Sequence, residues 1–163
     1  MIAFSNAAFY FILKPYALPN DTNPFELHRV DGLYTAQTNL EEARAVVDYL
    51  LHLPSNPDGT YPSVGIATLN LRQRDTIIRE IIRQRRESAE AELVFFALEQ
   101  SGLFIRNLEN IQGDERDIIV LSTTFGRNES GAFHHHFGKL GTRQGYRLLN
   151  VLITRARCRY AVS

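Results

Sequence analysis

Two segments of the chain carry residue types suited to anions and hydroxyl groups. The first is Gln112-Gly113-Asp114-Glu115, which leads directly into the apolar run Ile118-Ile119-Val120-Leu121. A glycine in such a turn lets the backbone approach a ligand closely, and a carboxylate beside it accepts hydrogen bonds from hydroxyls. The second runs from Arg147 to Ser163, RLLNVLITRARCRYAVS, where Arg155 follows Leu149 and Leu152 near the end of an expected helix. A guanidinium positioned by packed neighbours presents a planar fork of donors that suits phosphate. Each segment alone also has a plainer explanation: a glycine turn between solvated charges, or a helix-end arginine favoured by the macrodipole. The helix-end account covers one arginine but not the whole pattern from Arg147 to Arg157.

A third polar cluster lies at strand ends. Val64 to Arg74, VGIATLNLRQR, ends an apolar run on Thr68 and Asn70, and Asn107 closes another. Short polar side chains there suit phosphate oxygens, with loop-capping hydrogen bonds as the structural alternative. The following helix carries Arg72, Arg79, Arg83 and Arg86, interrupted by Asp75, Glu80 and Glu87. A solvated, salt-bridged face is the expectation there rather than a basic stripe. His134, His135 and His136 stand between Phe133 and Phe137; adjacent imidazoles converge poorly on one ion and no cysteine or carboxylate lies nearby, so no metal site is assigned. Cys158, between Arg157 and Arg159, precedes a strand and is assigned to the core. No Gly-x-x-x-x-Gly-Lys-Ser/Thr loop occurs. By itself the chain therefore lacks the usual means of holding a triphosphate with Mg²⁺.

The elements that must position these residues alternate in type. Gly32 to Ala36 is a short strand candidate, and Thr38 to Glu41 has the form of a capping box. The helix it opens carries Leu40, Ala43, Val46, Val47, Leu50 and Leu51 at helical spacing. Ser63 to Leu69 is a buried strand, and Leu71 to Arg86 a helix burying Ile77, Ile78, Ile81 and Ile82. Leu103 to Leu108 and Asp117 to Thr124 are further strands, Gln144 to Arg155 a helix, and Arg159 to Val162 a last strand. Strands alternating with helices imply an α/β fold, a parallel sheet with helices on both faces. Residues 1–31, punctuated by Pro15, Pro19 and Pro24, are expected to be an irregular lead-in.

The 163 residues are 44% apolar, enough for one sizeable core and a single domain. Net charge is zero, so no global field draws the chain to nucleic acid or an anionic membrane. The distribution is uneven: after Glu129 there are no acidic residues, while Lys139, Arg143, Arg147, Arg155, Arg157 and Arg159 follow. A single cysteine excludes an internal disulfide and fits the reducing cytoplasm. No apolar run reaches the roughly 20 residues that cross a bilayer. Both ends look cut, and a larger parent protein is expected.

In this order and spacing, FIRNLENIQGDERDIIVLS (Phe104 to Ser122) and RLLNVLITRARCRYAVS resemble motifs V and VI of superfamily 1 helicases, which belong to the second of two RecA-like motor domains. ENIQGDERD is most similar to large bacterial DNA helicase-like members, in the branch with the replication and nonsense-decay helicases; that branch implies 5′ to 3′ movement. The opening Met1 to Asn6, with Phe9-Tyr10, resembles the helix after the family's motif IV. The chain departs from the family at Leu148, at Leu152 and at Gln144-Gly145-Tyr146-Arg147, where the family has a second arginine, alanine and Gly-Gly-Glu-Arg. The resemblance implies a RecA-like domain without its own phosphate loop, completing an ATP site built with a first motor domain. Gln112, Gly113, Glu115 and Arg155 then bind nucleotide, Glu115 on the ribose and Arg155 as an arginine finger. Thr68, Asn70 and Asn107 contact single-stranded nucleic acid, DNA favoured over RNA. Gly113, Glu115 and Arg155 are expected on one rim of the sheet, at the carboxyl ends of neighbouring strands or on the facing helix. ATP and Mg²⁺ are implied for the whole protein, with none bound and no turnover by this chain alone. Two alternatives stay open: a degenerate RecA-like module that binds nucleic acid or protein without motor activity, and a stand-alone hydrolase using the histidine cluster.

Overall fold

The computed structural model describes residues 25–111, 114–133, 145 and 156–162. The elements in chain order are β1 (Phe25–Leu27), β2 (Tyr34–Thr35), β3 (Thr38–Asn39) and α1 (Leu40–Leu51). Then come β4 (Val64–Thr68), α2 (Leu71–Glu87), α3 (Ala89–Gln100), β5 (Phe104–Asn107), a 3-10 turn (Leu108–Asn110), β6 (Arg116–Ser122) and β7 (Ala156–Val162). Five strands form one parallel sheet in the order β1-β7-β6-β4-β5. β4 is buried at all of its positions, as a parallel strand covered on both faces must be, which is why its sequence is a continuous run without a polar face.

Side-chain alternation sends Val64 and Ile66 of β4, with Ile118 and Val120 of β6, to one face of the sheet. There they meet Ala43, Val46, Val47 and Leu50 of α1, Ile77 and Ile81 of α2, and Ala91, Phe95 and Leu98 of α3 in a single core. Each helix has its own start signal. The Asn39 side chain accepts from Glu42 N at 3.0 Å, Asn70 from Gln73 N at 2.8 Å, and Ser88 from Ala91 N at 3.2 Å. These caps satisfy amide groups that the first helical turn leaves without a partner. Ser88 also breaks α2 from α3 with an extended backbone, φ −139° and ψ 124°.

On the opposite face the ring of Phe104 lies across Gly65. A Cβ at Gly65 would collide with Phe104 Cζ and come within 2.8 Å of Ile119 Cδ1. The order of strands steps from β4 out to β5 and then back past β4 to β6. Right-handed crossovers running in opposite directions use opposite faces, and the β5–β6 connection accordingly sets Asp114 against Arg106 on the side away from the helices. β2 and β3 form a small antiparallel hairpin whose turn, Ala36 and Gln37, has φ of +52° and +67°. That is the type I′ geometry usually given to Asn-Gly, held here by two side-chain-bearing residues at a cost in backbone strain.

The α/β class and its parallel sheet agree with the sequence reading, and several details differ. Phe25–Leu27, inside the stretch expected to be an irregular lead-in, pairs in parallel with β7. The α1 cap is Asn39, with Glu42 three residues on; Thr38 instead turns its hydroxyl to Thr35 O at 2.8 Å within the hairpin. Ile82 of α2 is exposed and Ile78 half-buried, Ile78 facing a cavity beside the β2–β3 hairpin. α3 itself was not foreseen. Among the described residues the helices cover one face only; the helix expected over Gln144 to Arg155 lies outside them except for Gly145, which is helical and buried. No helix among the described residues is long and apolar enough to cross a membrane.

Candidate functional site

The last rung of the sheet aligns Asn107 of β5, Thr68 of β4 and Ser122 of β6 side by side. The apolar face that α1–α3 cover thus ends, at the carboxyl ends of the strands, in a polar row. Parallel α/β sheets place ligand crevices beyond these ends, where successive connections diverge. Here the first turns of α1 and α2 bring Glu42 and Gln73 onto the row, both buried. Gln73 Oε1 accepts from Asn39 N at 2.9 Å, and its Nε2 donates to Asn39 O at 3.0 Å and Ser122 Oγ at 3.3 Å. Ser122 Oγ donates to Glu42 Oε1 at 2.8 Å, and Thr124 N donates to the same oxygen at 3.0 Å.

Thr124 has φ of +71°, a conformation that a residue with a branched side chain adopts only when its surroundings impose it. Two partners impose it: Glu42 takes its N–H, and Asn70 Nδ2 donates to its hydroxyl at 3.3 Å. Burial pushes the Glu42 carboxyl up to about 7, against the opposing bonds from the Thr124 and Thr123 amides and the Ser122 hydroxyl. Desolvation of the charged form outweighs those donors. The loop after β6 is therefore tied to two helix starts.

The strand-end residues divide by their present partners. Thr68 is fully buried, and its hydroxyl donates to Asn70 O at 3.0 Å. Asn70 is occupied by its capping bond and by Thr124. Both make the loop-capping contacts named above as the structural alternative. Asn107 differs: its Oδ1 is buried with no hydrogen-bond partner among the described residues. An unsatisfied buried amide costs about 1–3 kcal/mol, and half a turn of the group would present its NH₂ to an arriving acceptor.

Of the four residues that the resemblance assigns to the nucleotide, Glu115 is described, and it lies at the other end of the sheet. Glu115, exposed, immediately precedes β6, seven residues before the rim at Ser122 and so about 23 Å from it at strand rise. The expectation that Glu115 sits at a carboxyl end is thereby corrected: its strand begins there. Gln112, Gly113 and Arg155 lie outside the described residues. Their neighbours are informative, because Ala156, directly after Arg155, pairs with Arg116, directly after Glu115. The segment is held in place by Phe104, whose ring has Arg106 Cζ and Arg116 Cζ each 4.8 Å from its centroid. Asp114 pairs with Arg106 and stands 4.0 Å from Arg116, whose Nε donates to Gly102 O at 2.7 Å.

Sequence reasoning missed Glu42, Gln73 and Thr124. A signal was present: Glu42 and Gln73 each stand four residues before a core residue, Val46 and Ile77, and so share the buried face of their helices. On α2 the arginines split as the charge pattern implied only in part. Arg74 pairs with Asp75, Arg83 with Glu80 and Glu87, and Arg85 with Glu92 and Glu99. Arg72 instead donates to Ala36 O at 3.2 Å and Arg79 to Thr76 Oγ1 at 3.0 Å. The histidine cluster lies outside the described residues, as does the side chain of Cys158.

A family model described as an AAA domain matches residues 13–162. The chain is 36% identical, over 167 residues, to the uncharacterized ATP-dependent helicase MG140 of Mycoplasma genitalium, and 34% identical over 174 residues to its homolog in Mycoplasma pneumoniae. Each alignment covers 98% of this chain and 14% of the relative, so the chain spans about one seventh of the length of these curated relatives. Among solved structures, the C-terminal domain of a possible DNA helicase from Lactobacillus plantarum aligns at 13% identity, covering 81% of this chain and 86% of that one, with a TM-score of 0.25.

Proposed function

The chain belongs to the AAA-domain family found in C-terminal regions of superfamily 1 helicases, and from that membership we propose that it is the second motor domain of an ATP-dependent helicase. In this reading it couples ATP hydrolysis to movement along single-stranded nucleic acid, DNA favoured, and completes a nucleotide site whose phosphate loop and Mg²⁺ carboxylate belong to a first motor domain. The observation that supports it most is the pairing of Arg116 with Ala156, since the residues before them in sequence are Glu115 and Arg155. Two segments about forty residues apart in sequence thereby start adjacent strands at one end of the sheet.

The proposed roles follow from chemistry. Glu115 accepts hydrogen bonds from the ribose hydroxyls, Gln112 and Gly113 let the backbone close on the nucleotide, and Arg155 donates to the γ-phosphate as charge develops there. An arginine in that position contributes a rate factor of about 10³ or more. At the opposite rim, Asn107 offers its unsatisfied amide to the strand, while Thr68 and Asn70 fix the backbone around it. Replacing Arg155 by alanine in the parent protein tests the reading by steady-state kinetics. Nucleic-acid-stimulated kcat should fall by about 10³ with KM little changed; a loss within about threefold, far short of that factor, would make Arg155 a structural residue and remove the motor assignment.

A further inference from the structure

Of the six arginines on α2, three are neutralised by carboxylates on α2 or α3. Arg72 and Arg79 have no carboxylate partner among the described residues, and both line a cavity of about 620 Å³ between α2 and the β2–β3 hairpin. Its other walls are Ala36, Thr38, Asp75 and Ile78. Asp75 is the one carboxylate on that wall, and Arg74 holds it through two bonds of 2.9 and 2.7 Å to a single oxygen. The lining is therefore net cationic. Seven residues separate the two guanidinium-bearing positions, about two turns and 10 Å along one side of the helix.

We propose that this cavity is a phosphate subsite for the backbone of the single strand, extending the strand path off the rim of Thr68, Asn70 and Asn107. The inference rests on the strand-binding reading above and assigns it two further contacts. Arg72 lies two residues beyond Asn70, so the cavity opens beside the rim without an intervening element. The cavity is open to solvent, and its two arginines stand about 10 Å apart along the helix, a span that suits a polymer backbone better than a lone anion. Ile78 and Ala36 supply an apolar surface for sugar or base, and the two guanidinium groups supply the charge. The strained Ala36-Gln37 turn forms the outer wall, and the Arg72 bond to Ala36 O fixes the guanidinium against it.

The test is a titration of a fluorescent oligothymidylate with this chain over a range of KCl concentrations, using the wild type, the double variant Arg72→Gln/Arg79→Gln, and Arg83→Gln. Each phosphate contact on a single strand contributes about 0.7 to the slope of log K against log salt. The double variant should lower that slope by about 1.4, whereas Arg83→Gln, whose charge is already neutralised, should leave it unchanged. Thermal unfolding of each variant verifies that the fold persists, which the exposure of both arginines favours. Three results overturn the proposal: an unchanged slope in the double variant, an equal drop in Arg83→Gln, or displacement of the oligonucleotide by inorganic phosphate beyond the effect of chloride at equal ionic strength, which marks a free-phosphate site. A wild-type chain that binds no strand overturns the subsite as well. Loss of turnover in the Arg155 variant of the parent reports the motor reading separately, so either can fail while the other stands.

Discussion

Replacing Glu42 by glutamine should change how stability depends on pH, with a sign fixed by the position of the carboxyl. Glu42 is 1% exposed, and burial raises its pKa from an ordinary 4.5 to about 7. Below pH 4.5 the group is protonated in both folded and unfolded chains, and the stability it allows is fully present. Between 4.5 and 7 the unfolded chain releases the proton while the folded chain retains it, so stability falls as pH rises; above 7 the loss is complete. At about 1.4 kcal/mol per pH unit the span corresponds to about 3 kcal/mol. Glutamine is neutral throughout and keeps an oxygen able to accept from Ser122 Oγ and Thr124 N. The variant should match the wild type near pH 4.5 and exceed it by up to about 3 kcal/mol near pH 8. Urea unfolding of both proteins across this range isolates the effect, because every other titrating group cancels in the difference. A difference flat to within about 0.5 kcal/mol, small against the 3 expected, would mean that Glu42 titrates near its ordinary value. A difference of opposite sign would mean that the donors from Ser122, Thr123 and Thr124 outweigh burial and hold the carboxylate ionised.

Gly65→Ala should destabilise the chain by about 1–3 kcal/mol in urea unfolding, because the new methyl group meets the Phe104 ring and Ile119 within a closed sheet face; an unchanged midpoint would show that the ring moves freely. Phe95→Ala, at a fully buried position in the helix core, should cost about 3–5 kcal/mol by the same assay, and a loss under about 1 kcal/mol, far below that range, would contradict the packing of α3. Calorimetric titration of ATP into this chain should give weak or no binding and no turnover, since the phosphate loop is absent from its sequence. Micromolar affinity with hydrolysis would sink the two-domain reading of the nucleotide site.

The elements most legible in the sequence are those whose periodicity and composition agree. β4 and β6 are short runs rich in β-branched and other apolar residues, α1 carries one apolar stripe, and the pairing of QGDE with TRAR was enough to point to the family. α3 escaped because AEAELVFFALEQ spreads apolar residues around the helix: Phe95 and Leu98 are buried, but Leu93 and Phe96 are 70% and 55% exposed. No single stripe marks it, and only one residue separates it from α2. β1 is three residues long, too short for a period to show, and exists as a strand because β7 is there to pair with it. The capping residue was misplaced by one position because Thr38 belongs equally to a capping pattern and to a hairpin, and the hairpin partner Thr35 decides between them.

By itself the sequence determined the α/β class, the parallel alternation, the lack of a phosphate loop and the family, because each is set by local composition or by residues close in the chain. Only the tertiary structure decided which polar residues share a site. The carboxyl rim brings together Glu42, Gln73, Asn107 and Ser122 from four elements, and strand register, invisible to any local pattern, aligns Thr68 between two of them. Register likewise set Glu115 at the start of β6 beside the residue that follows Arg155, reversing the end of the sheet expected for it. The physical reason is common to both cases: a side chain's charge and bonding capacity are written in its type, but its desolvation, its partners and its rim depend on which strands lie next to one another.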